Sequence, residues 1–183
     1  MAGSLIKIDE FTISSAVASV ILGGGSSGSS GLNVSIDSTY DVYMVKANNV
    51  TPSVDTNEIR MRFTVGGTAQ TTSNYDWANK RLRGSTTFTN DSDTNQTGTR
   101  ALDNVGNGAG ENSNGVFYLF NFNNASEYSF ATIEVSAHNG SEVRGFQGGT
   151  VYTVAEAHNG VQFYNHQGNN ISSGQFVLYG LKK

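Results

Sequence analysis

Cysteine is absent from the 183-residue chain, which removes a disulfide framework, thiolate metal centres and cysteine nucleophiles together. Proline occurs once, at Pro52, in the connection expected before a strand, where a missing N–H costs nothing. Charge is scarce: 14% of residues are charged and the net charge is −4. Nucleic-acid binding needs clustered Lys and Arg to neutralise phosphates. The cluster Lys80, Arg81 and Arg83 is too small for that, and no nucleic-acid partner is expected. No stretch approaches about 18 apolar residues, so no membrane insertion is expected. No basic segment followed by an apolar run and a small-residue cleavage site opens the chain, so no secretory signal is expected either.

What is present is polar and uncharged: 80 of the 183 residues are Gly, Asn, Ser or Thr. Such a composition is compatible with disorder, but ten Phe, eight Tyr and a regular apolar alternation argue for a packed core. Helical periodicity is nearly missing. Short alternating segments separated by turn signals predict one all-β domain over 1–183, an antiparallel β-sandwich, jelly-roll-like, of about nine to eleven strands. Leu5–Ile8, Phe11–Leu22, Leu32–Ile36 and Tyr40–Lys46 read as strands. Glu58–Val65 is the clearest half-buried one, with Ile59, Met61, Phe63 and Val65 facing inward and Glu58, Arg60, Arg62 and Thr64 facing water. Gly23–Gly31 reads as a flexible loop. Thr71–Arg83, Asn90–Thr99 and Asp103–Asn114 read as polar excursions and loops.

Val116–Phe122 places large apolar groups at successive positions, so both faces want cover and the strand belongs in the middle of a layered structure. Tyr128–Val135 then puts Tyr128, Phe130 and Thr132 on one face and Ala131, Ile133 and Val135 on the other. Thr132–Val135, Val151–Val154, Val161–Tyr164 and Gln175–Leu181 complete the strands. Ala137-His-Asn-Gly140 and Ala157-His-Asn-Gly160 repeat one tetrapeptide whose Asn-Gly suits a type I′ hairpin turn.

No catalytic constellation emerges. His138 and His158 sit at equivalent turn positions, where His tolerates unusual φ, and with His166 they show no zinc spacing. Gly106-Asn-Gly-Ala-Gly110 leads into a strand and not a helix, unlike a dinucleotide fingerprint. Asp9, Glu10, Asp41, Glu127 and Glu134 are not paired by any glycosidase-like motif. Asp91, Asp93 and Asn95 alternate oxygen ligands suited to a hard cation such as Ca2+. An EF-hand is excluded, because Gln96 and Leu102 stand where Gly and Glu are required. Asn74, Tyr75, Asp76 and Trp77 are the ligand-binding candidates: aromatics on an exposed loop stack on sugar rings or anchor interfaces, unless they pack back over the sandwich.

Long segments resemble a family of small structural proteins of marine tailed bacteriophages, those of cyanobacteria above all. They are Gly3-Ser-Leu-Ile-Lys-Ile-Asp-Glu10, Ile13–Val20, Asp37-Ser-Thr-Tyr-Asp-Val-Tyr43, Ser73-Asn-Tyr-Asp-Trp77, Tyr118–Phe130 and Ile171–Lys182. The closing Ser173-Gly-Gln-Phe-Val-Leu-Tyr-Gly180 is similar to the last strand of jelly-roll domains on phage tail fibres. The resemblance implies a non-enzymatic virion protein, made in the host cytoplasm and released by lysis. It would be a knob, tip, collar or capsid decoration, a homo-oligomer such as a trimer beside other virion proteins. The second expectation is a lectin-like module binding host surface glycan.

Overall fold

The computed structural model describes residues 4–85 and 87–182. Met1–Gly3, Thr86 and Lys183 lie outside them, and with them the first residue of the resembling segment that opens at Gly3. The described chain is all-β, with thirteen strands in two antiparallel sheets that pack face to face. The larger sheet carries, in spatial order, β1 (Ser4–Ile13), β13 (Ile171–Lys182), β3 (Val42–Pro52), β9 (Ser113–Phe120), β10 (Ser129–His138), β11 (Val143–Tyr152), β6 (Tyr75–Arg83) and β7 (Thr89–Gln96). The smaller runs β2 (Ser19–Gly23), β12 (Gly160–Asn165), β4 (Asn57–Val65) and β5 (Thr68–Ala69), with β8 (Thr99–Val105) also pairing with β4.

The core between the sheets follows from period-two alternation. Phe117, Leu119, Ile133, Val135 and Phe146 face Val20, Leu22, Ile59, Met61, Phe63, Val161 and Phe163. Phe163 packs its ring 5.2 Å from Phe117 and 4.7 Å from Phe176, centroid to centroid. Aromatic pairs at these separations add attraction beyond the area they bury.

Several expectations change. The strands exceed nine to eleven because two polar stretches pair: much of Thr71–Arg83 is β6, and most of Asn90–Thr99 is β7. Asp103–Val105 completes β8, so the loop expected over Asp103–Asn114 is shorter. Leu32–Ile36 is not a strand; Val34 makes a single bridge to Gly25. The segment expected over Phe11–Leu22 breaks after Ile13 and resumes at Ser19, and Pro52 ends β3. Gly23–Gly31 is tied down and not free. Gly24 N–H donates to Asn159 O (2.8 Å), Gly25 N–H to Val34 O (2.8 Å) and Ser29 N–H to Ile21 O (2.8 Å). Gly23, Gly24 and Gly25 all take φ between +65° and +78°, which is what this run of glycines supplies.

On β4, Glu58, Arg60 and Thr64 are buried and not in water. Arg60 Nε donates to Glu58 Oε1 at 2.6 Å, and Thr64 Oγ1 donates to Asn159 Oδ1 at 3.0 Å, so each polar group is satisfied where it lies. The two Ala-His-Asn-Gly segments also diverge. The first turns between β10 and β11, with only Gly140 at positive φ (82°), so it is not type I′. The second is no hairpin: it leads into β12 and drives His158 into the interior.

Candidate functional site on the outer face of the large sheet

Asn74, Tyr75, Asp76 and Trp77 do not form one exposed cluster, because strand alternation splits them between the two faces of β6. Tyr75 is fully buried: its hydroxyl accepts from Phe63 N–H (2.8 Å), donates to Gln70 O (3.2 Å), and is pushed well above its usual pKa by burial. Trp77, 6% exposed, lies under the Arg100 guanidinium, 5.1 Å from ring centroid to carbon. Asn74 Nδ2 donates to Thr72 Oγ1 at the rim of Tyr152. Only Asp76 turns outward, and its Oδ1 accepts from Asn95 N–H at 2.8 Å.

Asp91, Asp93 and Asn95 lie on or at the end of β7 and not in a cation loop. Asp91 pairs with Arg81 (2.7 Å), Asp93 Oδ1 accepts from Thr94 N–H (2.9 Å), and Asn95 takes φ 55°. Among the described residues no three His, Cys, Asp or Glu converge as a metal-binding group. Asp91 belongs to a charged layer: Arg81 and Arg100 also hold Asp103 (3.2 and 2.9 Å), and Glu58 joins Arg60. Beside it, Glu142 holds Arg83 (2.6 Å), Arg144 (3.0 Å) and the Ser85 hydroxyl, which with Arg83 draws its carboxyl pKa down to about 2.

One interior line has the composition of hydrolytic machinery. His158 Nδ1 is 2.8 Å from Ser129 Oγ and its Nε2 is 3.5 Å from Glu156 Oε1. In a Ser-His-acid triad Nε2 takes the serine proton while Nδ1 faces the acid; here the two nitrogens are exchanged. Ser129 and His158 are both 0% exposed, so no substrate carbonyl reaches the hydroxyl. Phe63, Phe122 and Tyr152 ring the imidazole at 5.2, 5.6 and 5.0 Å, and burial pushes its pKa down to about 4. The line is a polar link inside an aromatic core, with Nδ1 engaged by the Ser129 hydroxyl and the buried Nε2 making no hydrogen bond among the described residues.

The chemistry accessible to a partner lies on the outer face of the large sheet. Register sets three rows across the strands. The first runs Leu5, Leu181, Val42, Phe120, Phe130, Val151 to Asp76. The second runs Lys7, Tyr179, Met44, Tyr118, Thr132, Gly149, Ala78 to Ser92. The third is charged and polar: Glu10, Val177, Lys46, Val116, Glu134, Gln147, Lys80 and Asn90. Leu5 (52%), Tyr118 (37%) and Phe130 (43%) are exposed, so the two-sided cover expected for Val116–Phe122 is met only on the inner face. Reasoning from sequence placed Phe130 on a strand face with Tyr128 and Thr132 but gave it no binding role, and passed over Gly149 and Gln147. The signal for this face was present in the Gly148-Gly149 pair inside a strand, a mark of close approach by another group.

Compared with protein-family models, with curated proteins and with solved structures, the chain matches none.

Proposed function

We propose that the protein is a non-enzymatic structural component of a tailed-phage virion, a β-sandwich that assembles as a homo-oligomer on the tail, fibre or capsid surface. The carrying observation is the β1–β13–β3–β9 half of the outer face. There Leu5, Leu181, Val42 and Phe120 align in one row, Tyr179, Met44 and Tyr118 in the next, and Glu10 and Lys46 rim them. An apolar centre with a charged rim is the anatomy of a protein interface, and a closed symmetric assembly is the commonest way to cover such a patch. The segments resembling phage structural proteins supply the virion context, including the jelly-roll likeness of the closing strand. The non-enzymatic reading is supported by the burial of Ser129 and His158 and the engagement of Glu58, Asp91, Asp103 and Glu142 in ion pairs.

Light scattering coupled to size exclusion tests the assembly. A mass of three chains or another closed multiple is expected, falling to one chain in Phe120→Ser; a wild-type monomer overturns self-assembly. Mass spectrometry of purified particles tests the location, and absence of the chain from them overturns the virion role.

A further inference from the structure

The other half of the outer face is concave. Thr132, Gly149, Ala78 and Ser92 are small and follow one another in register across β10, β11, β6 and β7. They form the floor of a trench that crosses four strands, about 14 Å from first to last at ordinary strand spacing. One wall is Phe130, Val151 and Asp76; the other is Glu134, Gln147, Lys80 and Asn90. Two adjoining depressions of about 480 and 430 Å³ share Ala78 and Ser92, within the size range of ligand sites. Gly149 keeps the floor open: a Cβ there meets only Ala131 O, at 3.3 Å, whereas one on Gly148 runs into Ala78 O at 2.3 Å. Strand packing therefore demands glycine at 148 and not at 149.

We infer that this trench binds a neutral oligosaccharide. Three of the four strands beneath it, β10, β11 and β6, are interior to the sheet with their backbone groups paired on both sides. β7 is the sheet's edge, but its open backbone groups lie in the plane of the sheet and not over the trench floor, so an extended peptide lying in the trench finds no ladder to join. Recognition there rests on side chains alone. Phe130 offers a ring for the C–H face of a sugar, and the rims offer acceptors and donors for its hydroxyls. Asp76 is oriented by the Asn95 N–H, which donates to its Oδ1 at 2.8 Å. Gln147 Nε2 donates to Glu134 Oε1 at 3.0 Å, which fixes the opposite wall. Two carboxylates (Asp76 and Glu134) against the single cation of Lys80 leave the trench net negative. It repels phosphate, sulfate and uronate groups and leaves uncharged hydroxyl-rich chains as the fitting class.

Calorimetric titration with soluble gluco-, manno-, xylo- and galacto-oligosaccharides, beside oligoguluronate and oligogalacturonate, tests the assignment. At least one neutral oligomer is expected to bind in the micromolar to millimolar range, and the uronates at least about tenfold more weakly. Phe130→Ala is expected to weaken binding about tenfold or more, and Gly149→Val, which fills the floor, to abolish it. Gln147→Ala, a surface change with no fold to lose, is expected to weaken it as well, while oligomeric mass stays that of the wild type in all three. Flat titrations against every neutral oligomer overturn the inference. So does binding unaltered in Phe130→Ala and Gln147→Ala, or a preference for the uronates. Because the assembly face lies on the other strands, loss of the oligomer with binding intact overturns only the assembly.

Discussion

Acidification should destabilise this protein through His158 well before its carboxylates are protonated. The imidazole is 0% exposed, ringed by Phe63, Phe122 and Tyr152, and its folded pKa is about 4 against the ordinary 6.5. The neutral form is the one that folds. Above pH 6.5 neither state holds the proton and stability is complete; between 6.5 and about 4 the unfolded chain binds a proton that the folded chain refuses. Stability therefore falls as pH falls, by up to about 3 kcal/mol at about 1.4 kcal/mol per unit. Glu156, 3.5 Å from Nε2 and partly exposed, is the one carboxylate facing the ring among the described residues and makes this an upper figure. For a domain of this length the loss is a fall in Tm of about 6–12 °C. Thermal melts from pH 7.5 to 4.5 on wild type and His158→Gln check it. The variant should start lower, having lost fit around the ring, but should be flatter with pH. Parallel curves would refute the reasoning. The pH floor keeps Glu142 out of the comparison, since its depressed pKa contributes stability that is lost below its unfolded value of 4.5, as pH falls toward about 2.

Two more outcomes follow from the same structure. Tyr75→Phe leaves the Phe63 N–H without its acceptor in the core and should cost about 1–3 kcal/mol in urea denaturation; an unchanged midpoint would mean the hydroxyl is dispensable. Millimolar Ca2+ should leave the Tm of wild type unchanged, because Asp91 is held by Arg81 and Asp93 by the Thr94 N–H; a rise of several degrees that disappears in Asp93→Asn would restore a cation to that strand.

The β-sandwich class was legible because period-two alternation is a local property. Ile59, Met61 and Phe63, or Ala131, Ile133 and Val135, declare a buried face without reference to any other strand. β6 and β7 were read as polar loops for the complementary reason. Their inward residues include Arg81 and Asp91, which are tolerable between sheets because Asp103 and Arg100 arrive from β8 to pair with them. No local pattern announces a partner that lies across the sandwich. His158 was read as a turn residue on the same footing, since its tetrapeptide repeats that of His138. What separates them is the aromatic pocket formed by residues far apart in the chain.

By itself, then, the sequence determined an all-β chain with its central hairpin at β9–β10, no thiol chemistry and little charge, since composition and alternation depend on neighbours in the chain. The tertiary structure decided which apolar faces remain uncovered, that Tyr75 and Trp77 point inward, and that four small residues from four strands align into a trench. Those outcomes depend on register between strands, and a one-residue slip in any pair would turn every outward residue inward.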